Sequence, residues 1–210
     1  MSKRHTLKTL AAAAALALAG IAPQAVAQES LKIGLILPMT GPFASTGRQI
    51  DAAVKLYMAR HGDKVAGKKV EVILKDDGGV ADQTRRIAQE LVVNDKVVAL
   101  AGFGLTPLAF ATAPIATQSK TPMVVMAAAT SVIPERSPFI VRSGFTIPQI
   151  TTPIADWAAK NGIKNVVTLV SDYGPGPDSA QWFKSQFLPH GGKATADLRV
   201  PLANPDFPPF

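Results

Sequence analysis

The 210-residue chain carries a formal net charge of +7, is 47% hydrophobic and contains no cysteine. Disulfides and a cysteine-linked lipid anchor are therefore excluded, so an ordinary apolar core must hold the fold together. Its cations are scattered and only 6% of its residues are aromatic, which argues against nucleic acid as a partner.

Residues 1–27 read as a secretory signal peptide. Lys3, Arg4 and Lys8 form a positive start, Leu10 to Ile21 is an apolar run, and Ala25-Val26-Ala27 is a small-x-small cleavage pattern. The cut is expected after Ala27. The run is shorter than the roughly 20 residues a membrane span requires. Cleavage would remove Lys3, Arg4 and Lys8 and no acid, so the mature chain is less basic.

The rest alternates β-rich runs with helical patterns, the order of an α/β protein with parallel sheets flanked by helices. Lys32–Leu37 is a predicted strand closed by Pro38. Ile50, Ala53, Val54, Tyr57 and Met58 recur at helical spacing, predicting a helix from Gly47 to His61. Val70–Lys75 is a strand, Ala81–Asn94 a helix, and Val97–Gly102 a buried strand. Thr106-Pro107 has the pattern of a helix cap followed by proline, opening a helix to Ser119. Pro122–Met126 is a strand, Ser131–Pro138 irregular, and Phe139–Arg142 a short strand. A further helix runs from Thr146-Ile147-Pro148 to Asn161-Gly162. Then follow a Val166–Val170 strand, a Ser171–Pro177 loop, an Asp178–Leu188 helix and a Lys193–Val200 strand. A domain crossing is expected near Phe145–Thr152, dividing residues 28–148 from 149–210. Asn204-Pro205-Asp206 opens a helix that the chain leaves at Phe210, so the second domain is expected to be cut short.

Ligands of an open parallel sheet bind beyond the carboxyl ends of its strands. The loops in that position are Pro38–Phe43, Asp76–Gly79, Phe103–Thr106, Ala127–Thr130 and Ser171–Tyr173. Their small and hydroxyl-bearing residues suit binding by neutral hydrogen bonds better than catalysis. The helix start at Thr106 offers free N–H groups and a hydroxyl to a carboxylate, unless Thr106 only caps its helix. Ala127–Thr130 is either a second ligand loop or a plain tight turn. Tyr173 either covers a ligand or is a loop tyrosine, and Asp76-Asp77 is either a ligand or metal site or a solvated turn. Enzyme signals are weak. His61 and His190 have no metal-ligand companion at useful spacing, and no Gly-x-Ser-x-Gly or P-loop is present. Gly102-Phe103-Gly104 lacks the rest of a dinucleotide fingerprint.

At these residues the chain resembles the periplasmic substrate-binding proteins of branched-chain amino acid ABC transporters, the leucine-binding type. The resemblance is carried by Ile33-Gly34-Leu35-Ile36-Leu37-Pro38-Met39-Thr40-Gly41-Pro42, Lys75-Asp76-Asp77, Asn94-Asp95-Lys96-Val97, Thr121-Pro122, Ala127-Ala128-Ala129-Thr130, Asp172-Tyr173-Gly174 and Asn204-Pro205-Asp206-Phe207. It covers Leu31–Phe210 and implies a type I periplasmic-binding fold of two hinged α/β lobes, with a small molecule, an amino acid or related carboxylate, in the cleft. It implies no cofactor, no metal and no catalysis. It also implies a soluble periplasmic location and delivery of the ligand to an ABC permease in the inner membrane. Carried over, it assigns ligand contacts to Phe103, Leu105, Thr106, Pro107, the backbone of Ala128, Ala129, Thr130 and, from the second lobe, Tyr173. Ser45-Thr46 replaces the aromatic residue of leucine-type members, and the disulfide of some members is impossible here, so an altered side-chain pocket is expected. Family members run to nearly twice this length, which implies incomplete lobes and weak binding by this chain alone. Two alternatives stand beside transport: a ligand-sensing module of the same fold, and an exported α/β hydrolase using Asp76 or Asp172.

Overall fold

A computed structural model describes residues 30–202. The expected signal peptide with its cut after Ala27, and the Asn204-Pro205-Asp206 helix start, lie outside the described residues. Eight strands and five α-helices follow in chain order: β1 (Leu31–Leu37), α1 (Ala44–His61), β2 (Lys64–Val65), β3 (Lys68–Asp76), α2 (Ala81–Val93), β4 (Ala99–Gly102), α3 (Thr106–Ser119), β5 (Met123–Val125), β6 (Ile140–Arg142), α4 (Ile147–Lys160), β7 (Asn165–Ser171), α5 (Pro175–Phe187) and β8 (Lys193–Val200).

The first sheet has the order β2-β3-β1-β4-β5-β6. All pairings are parallel except the β2–β3 hairpin. The chain leaves β1 toward β3 on one side and then crosses to β4 on the other. This reversal opens a crevice beyond the carboxyl ends of β1 and β4, the place where such sheets bind ligands. The second sheet is a parallel β7–β8 pair. Among the described residues, no helix is long and apolar enough to cross a membrane.

Alternation along the strands decides the packing. Ile36, Leu100, Met123, Val125 and Ile140 point to the face covered by α2 and α3. There they join Leu91, Ala109, Ala113 and Ala116 in the main core. Small alanines on α3 let it lie close to the sheet. On the opposite face, α1 buries only Ala44 and Gly47. Its predicted apolar stripe instead borders an open groove with Ile33, Val70 and Val72, and Tyr57 is 66% exposed. A small second core forms where α4 and α5 meet, around Ala155, Ala158 and Phe187.

Local differences from the sequence reading have physical causes. The β2–β3 hairpin turns on Ala66 and Gly67 with φ of 49° and 79°. Two positive φ values are what a tight hairpin turn needs, but Ala66 gives no turn signal. Helix α5 begins at Pro175, inside the expected Ser171–Pro177 loop. The first-turn N–H groups of a helix have no intrahelical partner, so prolines there remove little. Gly176 permits that start, because a Cβ there would stand 1.9 Å from the Ser171 carbonyl oxygen.

Candidate functional site

The turn after β4 is the most constrained part of the site. Gly102 has φ of 114°, and a Cβ there would lie 2.1 Å from the Ile36 carbonyl oxygen. Phe103 follows with φ of 66°. A left-handed phenylalanine is costly and persists only where its surroundings fix it. Here the ring is fully buried in the main core, and its N–H donates to Ile36 O at 3.0 Å. Phe103 thus anchors the loop from below and does not present its ring to a ligand.

This anchored turn feeds α3. The helix is preceded by Leu105 in an extended conformation, with Thr106 as its first residue and Pro107 next. Thr106 is therefore not the side-chain cap that the sequence pattern predicts. Its hydroxyl shares a 2.7 Å hydrogen bond with the hydroxyl of Thr130, across 24 residues of chain. Both threonines are buried. Pro107 lacks an N–H and stiffens the first turn.

The Ala127–Ser131 loop after β5 is held from two sides. The N–H of Ala128 donates to Phe103 O at 3.0 Å, so it is engaged within the protein and not offered to a ligand. Ile147 N–H donates to Ala129 O at 3.0 Å. Arg142, at the end of β6, donates from Nη1 to Ala129 O at 2.9 Å and from Nη2 to Thr130 O at 2.6 Å. Burial draws the Arg142 guanidinium below its usual range, and the Asp178 carboxylate opposes that shift.

The loop after β7 closes the site from the other side. Gly174 packs so tightly that a Cβ would stand 2.6 Å from Thr106 Cγ2 and 2.9 Å from Thr130 Oγ1. Tyr173 beside it is half-buried, and that burial pushes its phenol above the usual value. The resulting cavity of about 280 Å³ is lined by Gly104, Leu105, Thr106, Ala127–Ala129, Phe145, Ile147, Ile150, Tyr173 and Pro175. Leu105, Thr106, Ala128, Ala129 and Tyr173 are thus brought together. Thr130 stands behind them on Thr106, while Phe103 and Pro107 do not line the cavity.

Sequence reasoning missed Phe145, Ile147 and Ile150. They belong to the next loop and to α4, where the apolar pattern also serves helix packing. The capping box between Thr146 and Gln149 was the available signal. Thr146 N–H donates to Gln149 Oε1 at 2.7 Å, and Gln149 N–H donates to Thr146 Oγ1 at 3.4 Å. That box fixes where Ile147 and Ile150 enter the cavity.

Asp76 and Asp77 build the neighbouring rim rather than a solvated turn. Asp76 accepts bonds from Met39 N–H, Thr40 N–H, the Thr40 hydroxyl and Gly78 N–H. Asp77 is fully buried and accepts from Gly79 N–H and the Thr84 hydroxyl. The first carboxylate joins two loops, and the second ties the turn before α2 to Thr84 in that helix. Among the described residues, no group of three or more His, Asp or Glu side chains is placed to hold a metal ion.

Among the described residues, no charged side chain lines the cavity. The Leu108 and Ala109 N–H groups donate to Leu105 O and Pro107 has none. The donors the arrangement can turn to a small carboxylate are therefore the Thr106 N–H and hydroxyl and the Tyr173 hydroxyl, while Phe145, Ile147, Ile150 and the Tyr173 ring can cover an apolar body.

Comparison with known proteins bears on the family and the fold. A family model described as periplasmic binding protein matches residues 30–210. A curated relative, Leu/Ile/Val-binding protein homolog 6 of Brucella abortus, is 46% identical over 197 residues, covering 93% of this chain and 50% of its own. A solved ABC-transporter solute-binding protein of Rhodopseudomonas palustris BisB5, in complex with 3,4-dihydroxybenzoic acid, is 62% identical with a TM-score of 0.83. Another from R. palustris HaA2, in complex with p-hydroxybenzoic acid, is 44% identical, also with a TM-score of 0.83. Each structural match covers 86% of this chain and 50% of the solved one, so the chain spans about half the length of the relatives it matches. The chain belongs to the periplasmic binding protein family, with the type I α/β fold of the solute-binding proteins of ABC transporters.

Proposed function

We propose that this chain supplies the solute-binding part of an ABC transporter and binds a small aromatic carboxylate. The observation that carries this reading is the cavity between Thr106 and Tyr173. It is lined by the apolar side chains of Leu105, Phe145, Ile147 and Ile150 and by the hydroxyl-bearing Thr106 and Tyr173, a surface that suits an aromatic body with a carboxylate at one end. In this reading the carboxylate sits at the start of α3, with the Thr106 hydroxyl, which Thr130 orients. The ring lies against Phe145, Ile147 and Ile150, under Tyr173. The two solved relatives with hydroxylated benzoic acids support the choice.

The reading divides the protein into two lobes, residues 28–148 and 149–210, with the crevice between them. It places the protein in the periplasm after removal of residues 1–27, as a carrier that hands its ligand to an inner-membrane permease and performs no reaction. A branched-chain amino acid is the second reading, favoured by the name of the curated relative. Calorimetric titration with 4-hydroxybenzoate, 3,4-dihydroxybenzoate and leucine separates the two. At least a tenfold preference for the aromatic acids is expected, and a preference for leucine would overturn it.

A further inference from the structure

Beyond the cavity, a second set of contacts joins the two sheets. Asp178, in the first turns of α5, accepts from Ser131 N–H at 2.6 Å on Oδ2 and from the Ser131 hydroxyl at 2.7 Å on Oδ1. The two residues are 47 positions apart, and neither lines the cavity. A carboxylate gripping both donors of one residue fixes distance and angle together, and such charge-assisted bonds are the stronger kind.

Ser131 directly follows Thr130, and Arg142 tethers the carbonyls on both sides. Its Nη2 reaches Thr130 O at 2.6 Å and approaches Ser131 O at 3.5 Å. Both Nη groups are thus committed to the loop, while among the described residues the buried Nε has no hydrogen-bond partner. With three carbonyls drawn toward Arg142, the Ser131 donors are left facing α5. The flush seat of Gly174 on Thr106 and Thr130 lies beside the same loop.

We propose that Ser131 and Asp178 form a latch that holds the two lobes together even without ligand, with Arg142 as the positioning residue that presents Ser131 to it. The latch rests on the two-lobe reading above. It gives Ser131 and Asp178 a part in closure and not in ligand contact. Because Thr130 and Ser131 are adjacent, ligand and closure act on one short segment.

The chain lacks cysteine, so spin labels can be placed on cysteines introduced at exposed Gln118 of α3 and Gln181 of α5. The distance distribution between them is read without ligand, with circular dichroism to check the fold. One narrow population is expected in the parent. Asp178→Ala should lower the ratio of closed to open species at least tenfold. Asp178→Asn and Ser131→Ala should lower it less, and Ser131→Thr, which keeps both donors, should restore it. Ser131→Ala should add nothing to Asp178→Ala. Arg142→Met should open the lobes without changing helix content. Should Asp178→Ala fail to fold, Ser131→Ala and Asp178→Asn carry the test. An unchanged distribution in both, or additive effects of the pair, would overturn the latch. Since no ligand is present, failure to bind aromatic acids leaves this result standing and counts only against the solute reading.

Discussion

The hydroxyls of Thr106 and Thr130 meet at 2.7 Å and tie the first turn of α3 to the loop after β5. Each can donate or accept, so their shared bond leaves capacity for one more partner in the cavity. Thr130→Ala should weaken aromatic-acid binding about tenfold, matching the roughly 1–2 kcal/mol of a lost buried hydrogen bond. The urea midpoint should fall as well, since the change deletes a buried hydroxyl and methyl and takes a partner from the Thr106 hydroxyl, a loss of about 1–3 kcal/mol. Unchanged affinity by calorimetry would remove Thr130 from the site.

Gly102 tests whether strain shapes the site. An alanine there would place its Cβ 2.1 Å from Ile36 O at a φ of 114°. Gly102→Ala should therefore cost several kcal/mol, on the order of the strain and steric penalties such positions carry. Equilibrium urea unfolding measures it, and a loss below about 1 kcal/mol would mean the turn relaxes freely.

Asp77 gives a prediction with a definite sign. Burial raises its pKa above 3.8, opposed by the Gly79 N–H and Thr84 hydroxyl bonds and aided by the Asp76 charge. The folded chain then takes up this proton before the unfolded chain does as pH falls. Asp77 thus adds stability on acidification, between its raised folded value and its ordinary one. Asp76 works the other way. Partial burial raises its pKa, but bonds from Gly78, Thr40 and Met39 outweigh that and hold it below the usual value. Its contribution is present above the unfolded pKa and is lost as pH falls through the folded one. Asp77→Asn removes the first effect and keeps the second. From pH 7 to 4, parent stability should gain relative to the variant, read from urea midpoints. A constant difference would refute the assignment.

Tyr173 is one of two tyrosines in the chain. Burial holds its phenol above 10.0, so the folded protein keeps this proton after the unfolded chain has lost it. Stability contributed this way falls as pH rises through the unfolded value. Ultraviolet titration of the parent against Tyr173→Phe should show the missing phenol ionising late. A difference spectrum that titrates at or below the ordinary value would contradict a buried Tyr173.

Thr146→Ala should remove the capping box on α4 and cost about 1 kcal/mol. Because Ile147 and Ile150 line the cavity, ligand affinity should fall along with stability. Calorimetry and urea unfolding measure the two, and a stability loss with intact affinity would separate the cap from the site.

What the sequence determined by itself was the alternation of strands and helices and the set of loops at their carboxyl ends. Periodicity is a local property, so Lys193–Val200 was read to the residue and Thr106–Ser119 in full. The small residues of Phe103–Thr106 and Ala127–Thr130 also marked two loops that the fold brings side by side beyond the strand ends, because close backbone approach demands small side chains. Tertiary structure alone decided which way each residue turned. Phe103 looked like a ligand contact in sequence, yet its left-handed backbone sends the ring into the core. Thr106 looked like a cap, yet its hydroxyl reaches across 24 residues to Thr130. Arg142, Ser131 and Asp178 carried no local signal. Their relation depends on the end of β6, the loop after β5 and the start of α5 arriving together. Such meetings are set by sheet order and helix packing, which no short window of sequence contains.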